Sequence, residues 1–88
     1  MEEQVLEELI NKSRHKVAGT KETLKALEKG EAKMVFVAGE AEDKVIRPVI
    51  SACESKGVEL QHVDSMARLG KMFGIKVKAA AAAILREN

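Results

Sequence analysis

The chain has 88 residues, which allows one domain, and its hydrophobic fraction of 45% is enough for a core, so a disordered chain is excluded. Two phenylalanines and one cysteine exclude aromatic platforms that stack bases, an internal disulfide and a cysteine-rich zinc module. The formal charge of +1 conceals a segregation, because four glutamates lie among the first ten residues. Basic residues predominate over 12–33 and from 65 onward, and these segments either form one patch or only solvate exposed helices.

The first half of the chain predicts two helices and a strand. Apolar residues at helical spacing predict an amphipathic helix over residues 3–16. Beyond the interruption at Gly19, a second helix is predicted over 21–29, and Gly30 ends it. The continuous apolar run 34–38 is rich in β-branched residues and predicts a central strand buried on both faces.

The middle of the chain predicts a third helix followed by a second strand. Apolar residues keep helical spacing over 45–53, and Gly57 closes the segment. Pro48 lacks a donor N–H, so a break is expected there, or a helix that begins near this proline. Residues 58–63 are predicted to form the second strand.

The last part of the chain predicts a short helix and a final strand. Asp64 or Ser65 is expected to cap the helix, which Gly74 ends. The five consecutive alanines within 75–85 favour helix by propensity, but a strand continues the alternation of helices and strands. We therefore predict a strand over 75–85 and an α/β fold whose sheet carries helices on both faces.

No residue pattern indicates an enzyme, a metal site or a cofactor. Neither His15 nor His62 has a ligand partner at a recognisable spacing, and Cys53 lies on the apolar stripe of a predicted helix. The longest apolar run, 79–85, is too short to span a membrane, and the acidic N-terminus is unlike a signal peptide. The expected location is the cytoplasm.

The segment 19–25 is the most informative part of the sequence, because a glycine-containing turn there leads into a helix N-terminus. Lys21, Lys25 and Lys29 recur every four residues and form one ridge. Glu22 lies beside this ridge and permits two interpretations. It either pairs with Lys25 along the helix, or it accepts hydrogen bonds from a base while the lysines donate to one.

The segment 19–30 resembles the Gly-x-Asn-Glu-x-x-Lys-x-x-x-x-Gly motif of the L7Ae ribosomal protein family. The similarity continues through the strand 35–38, the acidic loop 40–43 and the segment 69–77. It covers nearly the whole chain from about Lys12 onward. The family includes large-subunit ribosomal proteins, box C/D ribonucleoprotein core proteins and small bacterial paralogues.

This resemblance implies a three-layer α/β/α sandwich with a mixed central sheet of about four strands, and binding of kink-turn RNA. Such RNA bends sharply at tandem sheared G·A pairs beside a bulge, which opens the groove to a helix. Together with the lysine ridge, the implied RNA-binding set is Gly19, Thr20, Lys21, Glu22, Lys25, Lys29, Glu42, Ile46, Ile75, Lys76, Val77 and Lys78.

Each part of this set has an expected role. Lys21 would donate to an exposed guanine O6 and Glu22 would accept from N1–H, while Lys25 holds a guanine edge or a phosphate. In the family, the loop before the last strand covers a flipped-out nucleotide, and here that loop is 75–78. Glu42 and Ile46 would lie at the margin of the site.

Two features depart from the family pattern. Lys21 replaces the usual asparagine, as in the small bacterial members, and loses the bidentate geometry of an amide. The terminal helix of longer members does not follow the last strand, so one face of the sheet is expected to be less covered. The implied partners are kink-turn RNA and the ribosome, bound by a monomer. The alternative is a protein-interaction module with the same fold and no RNA ligand.

Overall fold

In the computed structural model, which describes residues 2–87, helices and strands alternate along the chain. The elements are α1 Glu3–Lys12, β1 Lys16–Ala18, α2 Thr20–Glu28, β2 Ala32–Ala38, α3 Asp43–Lys56, β3 Glu59–Val63, α4 Met66–Met72 and β4 Ala81–Leu85. The longest of these helices has 14 residues, and none of the helices within 2–87 combines the length and apolar character needed to traverse a bilayer.

The four strands form one mixed sheet in the order β1-β4-β2-β3. The last strand, β4, runs antiparallel to both of its neighbours, β1 and β2, whereas β2 and β3 are parallel. The prediction of a mixed sheet of about four strands is therefore confirmed. Because β4 is antiparallel to β1 and β2, its first residue lies beside the last residues of both strands.

Helices cover both faces of the sheet, which confirms the three-layer α/β/α sandwich. Alternate residues of β2 point to opposite faces. Phe36 is fully buried on the face that packs α1 and α4, and its ring meets that of Phe73 edge to face with centroids 5.4 Å apart. Val35 and Val37 are buried on the other face, against α2 and α3. One face of the sheet was expected to be less covered by helices, but Phe36 on one face and Val35 and Val37 on the other are all fully buried.

The first helix is shorter than predicted, and a strand follows it. The prediction of helix over 3–16 is wrong beyond Lys12, because residues 16–18 form β1 and pair with Ala82–Ile84 of β4. Three residues are too few for a visible alternation of polar and apolar side chains. Pairing with a distant strand therefore determines this conformation, and local propensity does not.

Pro48 does not interrupt or begin a helix, so the expected break is wrong. Helix α3 begins at Asp43, and Pro48 is its sixth residue. The proline cannot donate to the carbonyl of Lys44, one turn earlier, but both residues are exposed and water can reach that carbonyl.

The final strand is shorter than predicted, since β4 comprises only Ala81–Leu85 and residues 75–80 form an irregular loop. Hydrogen bonding to two neighbouring strands overrides the helix propensity of the alanines. The alanines 81–83 are completely buried between the helical layers. Their small side chains let helices on both faces approach the sheet.

Ser65, and not Asp64, caps helix α4. Its Oγ accepts a hydrogen bond from the backbone N–H of Arg68 at 3.0 Å. We expect Ser65→Ala to lower the free energy of unfolding by about 1 kcal/mol, because one N–H of the first turn loses its acceptor. Urea denaturation measures this change. Ser55→Ala, an exposed position within α3, is the matched control, and equal midpoint shifts for both variants would contradict the capping role.

Candidate nucleic-acid interface

Three segments converge at one end of the sheet, around the start of β4. The backbone N–H of Gly19 donates to the carbonyl of Ala81 at 2.8 Å, and that of Ala38 donates to the carbonyl of Ala80 at 2.9 Å. Three segments therefore lie side by side: the N-terminus of α2, the segment 39–42 after β2, and the loop 75–80. These are three of the segments that the resemblance assigned to RNA.

The buried side chain of Thr23 anchors the first turn of α2. This side chain is fully buried, and its Oγ1 donates to the carbonyl of Gly19 at 2.8 Å. Gly19 has φ +114°, a conformation that L side chains rarely adopt, and it turns the chain from β1 into the helix. With Thr23 facing inward, Lys21 and Glu22 are exposed on the outer side of this turn, and Thr20 is half-buried. No pattern in the sequence indicates this anchoring role of Thr23.

Glu22 and Lys25 form an ion pair, which is the simpler of the two interpretations of Glu22. Their Oε1 and Nζ atoms are 4.0 Å apart, and the side chains are 53% and 54% exposed. An exposed pair at this spacing contributes only a few tenths of a kcal/mol. Both groups can exchange this contact for one with a ligand at small cost.

Lys29 lies further along α2 than the other two lysines of the ridge. It is the C-terminal capping residue of α2, at the opposite end of the helix from Gly19. Eight residues separate it from Lys21, which places it about 12 Å further along the helix axis.

The loop 75–78 presents one apolar side chain between two cations. Val77 is 70% exposed, and Lys76 and Lys78 on either side of it are exposed too. Ile75 is only half-buried and packs against the core on the α1 and α4 face. The loop thus offers both an apolar surface for a base and positive charge for phosphate.

Gly70 in α4 holds this loop in place, a role that was not predicted from the sequence. Its carbonyl accepts the N–H of Ile75 at 3.0 Å. A Cβ at position 70 would lie only 2.1 Å from the carbonyl oxygen of Val77, so only glycine allows the loop to approach α4 this closely. The signal for this role is a glycine in the middle of a helical segment, where it lowers helix stability unless packing requires it.

Glu42 and Ile46 differ in accessibility. Glu42 is the N-terminal capping residue of α3, and its Oε2 lies 3.8 Å from Nζ of Lys44 with the carboxylate well exposed. Ile46 is 7% exposed and belongs to the core between the sheet and α2 and α3. Glu42 can meet a ligand directly, whereas Ile46 mainly supports the N-terminal turns of α3.

The acidic N-terminal segment lies on the other face of the sheet from α2. Glu3 and Glu7 of α1 both pair with Arg68 of α4, the second at 3.6 Å. The exposed lysines 21, 25, 76 and 78 belong to two of the converging segments. The two basic segments of the sequence therefore contribute exposed lysines to one end of the molecule, which also carries the exposed carboxylates of Glu22, Glu40 and Glu42.

The described part of the chain contains no group of three or more histidine, cysteine or acidic side chains able to hold a metal. Burial raises the pKa of the Cys53 thiol and keeps it in its protonated form, which packs as a small apolar group. His62 is exposed on β3.

The chain is similar to several known proteins whose names describe them as RNA-binding. An RNA-binding protein of Caldanaerobacter subterraneus subsp. tengcongensis is 43% identical over 68 residues, which are 77% of this chain and 83% of that protein. RNA-binding protein YbxF of Geobacillus stearothermophilus is 49% identical over 70 residues, 80% of this chain and 85% of that one. Among solved structures, the Giardia lamblia 15.5kD RNA binding protein has a TM-score of 0.81 and 27% identity, covering 100% of this chain and 78% of that chain.

The family model for the ribosomal protein L7Ae/L30e/S12e/Gadd45 family matches residues 3–88. This range includes the α2 turn, the segment after β2 and the loop 75–80. The chain therefore belongs to the ribosomal protein L7Ae/L30e/S12e/Gadd45 family.

Proposed function

We propose that this protein binds RNA at the α2 end of the sheet, and that its target is the kink-turn. The names of its relatives as RNA-binding proteins support the first part. The second part rests mainly on one observation: Lys21 and Glu22 are exposed on the first turn of α2, and the residue before that turn, Gly19, is hydrogen-bonded to Ala81 just after the loop 75–80. A donor and an acceptor placed together suit the edge of a guanine better than they suit a phosphate.

The chemistry of this end explains why a bent RNA is the preferred ligand. Regular A-form RNA has a major groove too deep and narrow for side chains to read. A kink opens the groove and admits the N-terminal turn of a helix, where Glu22 accepts from a guanine N–H and Lys21 donates to O6. Val77 and its flanking lysines then cover a nucleotide displaced from the bulge. Because only the bent RNA offers all these contacts, binding shifts the RNA toward its bent form.

A matched pair of RNAs tests the proposal. One is a kink-turn and the other is the same RNA with both G·A pairs changed to Watson–Crick pairs. We expect at least about thirtyfold weaker binding of the second RNA in gel-shift titrations, since several base-edge contacts are lost. Dyes on the two arms should report bending of the first RNA only. Equal affinity for both RNAs would end the kink-turn proposal, and no binding of either would favour a protein-interaction module.

Lys29 provides a separate prediction on phosphate contacts. We expect Lys29→Ala to lower the slope of log K against log salt concentration by about 0.7 to 0.9, because one fewer counterion is released. The preference for the kink-turn over the Watson–Crick control should not change, since Lys29 lies away from Lys21 and Glu22.

Titrations at several salt concentrations measure this slope. Lys12→Ala is the matched control, because Lys12 is an exposed cation at the end of α1, on the opposite face of the sheet. A slope for Lys29→Ala equal to that of the wild type would remove Lys29 from the RNA-binding set.

We further propose that the protein acts in the cytoplasm as a monomer and that its RNA belongs to the ribosome. Fractionation of cell extracts on a sucrose gradient tests the ribosomal part, because a ribosome-bound protein sediments with the particles and leaves them at high salt. Sequencing of RNA crosslinked to the protein in cells would identify the target directly.

A further inference from the structure

Glu40 joins the segment after β2 to the N-terminus of α4. Its Oε2 accepts a hydrogen bond from the backbone N–H of Met66 at 2.7 Å, across 26 positions in the sequence. Met66 is the first residue of α4, so its N–H has no acceptor within the helix. Because a carboxylate is a charged acceptor, this bond is stronger than one between neutral groups.

The same residue of α4 also holds the end of the loop 75–80. The carbonyl of Met66 accepts the N–H of Ala79 at 3.1 Å. Together with Gly70, which receives the N–H of Ile75 and contacts the carbonyl of Val77, Met66 fixes this loop from both of its ends. A shift of α4 would therefore displace Val77 and the lysines beside it.

We propose that Glu40 is a positioning residue for RNA binding, which acts by fixing α4 and thereby the loop 75–78. The inference rests on the proposed function, since the loop is part of the RNA-binding surface proposed above. Glu40 itself need not touch RNA. Without its carboxylate, α4 is held less firmly at its N-terminus and the loop spends less time in the arrangement that RNA requires.

The charge of Glu40 makes this role distinguishable from simple electrostatics. It is exposed beside the proposed RNA-binding surface, where a negative charge repels phosphate. If electrostatics alone acted, removal of the carboxylate would strengthen RNA binding. If Glu40 positions the loop, its removal weakens binding, because the apparent Kd rises as the competent fraction falls. The two roles thus predict opposite signs.

Three variants of the full chain separate these roles. Glu40→Ala removes both acceptor and charge, whereas Glu40→Gln removes the charge and keeps a side-chain carbonyl that can accept from Met66. Asp64→Ala is the matched control, because Asp64 is an exposed acid just before α4 whose carboxylate takes part in none of the ion pairs within residues 2–87. Each is titrated with the kink-turn RNA and its Watson–Crick control.

We expect Glu40→Ala to bind the kink-turn about fivefold more weakly, which corresponds to a fall of the competent fraction to about one fifth. Glu40→Gln should bind within about twofold of the wild type, and Asp64→Ala should bind equally or slightly more tightly. In the protein without RNA, hydrogen exchange of the Ala79 amide should accelerate in Glu40→Ala and not in Glu40→Gln. Amides of β2 serve as the reference for global unfolding.

Two outcomes would overturn the inference. One is wild-type or tighter kink-turn binding by Glu40→Ala, and the other is unchanged exchange at Ala79 in that variant. If the wild type fails to distinguish the two RNAs, the proposed function itself is wrong. The exchange data, measured without RNA, then still show whether Glu40 holds the loop.

Discussion

Replacement of Gly70 by alanine should destabilise the protein by about 2 kcal/mol and weaken kink-turn binding at least about tenfold. The added Cβ would lie 2.1 Å from the carbonyl oxygen of Val77, a backbone atom that can move only if the loop moves. Movement of the loop would also distort the hydrogen bond from the N–H of Ile75 to the carbonyl of Gly70. The loop 75–78 then leaves the α2 end of the sheet, and the RNA loses the contacts of Val77 and its flanking lysines.

The sign of the stability change distinguishes the contact with Val77 from helix propensity. Alanine favours helix over glycine by about 1 kcal/mol, so helix propensity alone predicts that Gly70→Ala stabilises the protein. Urea denaturation decides between these signs. Ala67→Gly, at an exposed position of α4, is the control: it loses about 1 kcal/mol of helix propensity without touching the loop. A Gly70→Ala protein that is more stable than the wild type and binds equally well would show that the loop does not depend on this contact.

The parts of the fold that local patterns determine were predictable. The apolar run 34–38 and the turn at Gly19 gave the central strand and the start of α2, because burial on both faces and helix initiation leave marks in adjacent residues. The strand β1 left no such mark, since three residues adopt it only by pairing with β4, more than sixty positions later. The prediction at Pro48 was wrong although it followed a local rule, that proline disrupts helices. At this exposed position water can reach the carbonyl that the proline leaves without a donor, and the helix continues.

The site divides in the same way. The spacing of the lysines in one helix singled out Lys21, Lys25 and Lys29, and Glu22 lies beside them. All four side chains are exposed, and their contact with RNA stays a prediction. Glu40 and Gly70 act through contacts with residues that are distant in sequence, and no pattern within a single element indicates such contacts. Residues proposed to touch the RNA can thus be named from one segment, whereas the residues that position them require the tertiary structure.

Glu22→Ala should weaken kink-turn binding by about 2 kcal/mol, or about thirtyfold, because the guanine N–H groups lose their acceptor. The free energy of unfolding of the Glu22→Ala variant should change by no more than about 0.5 kcal/mol, since the exposed pair with Lys25 contributes little. Glu22→Gln should fall between the wild type and the alanine variant, because an amide keeps one acceptor and replaces the other with a donor. Binding is measured by gel shift and stability by urea denaturation.

Electrostatics alone predicts the reverse for this residue, because loss of a negative charge beside Lys21 and Lys25 should strengthen binding of any RNA. Glu28→Ala on the same helix measures that effect, since Glu28 is an exposed glutamate at the far end of α2. Base recognition requires that Glu22→Ala loses affinity for the kink-turn while Glu28→Ala keeps or gains it. It also requires that the loss is larger for the kink-turn than for its Watson–Crick control. Parallel gains in both variants would assign Glu22 to the ion pair with Lys25 alone and leave sequence discrimination to other residues.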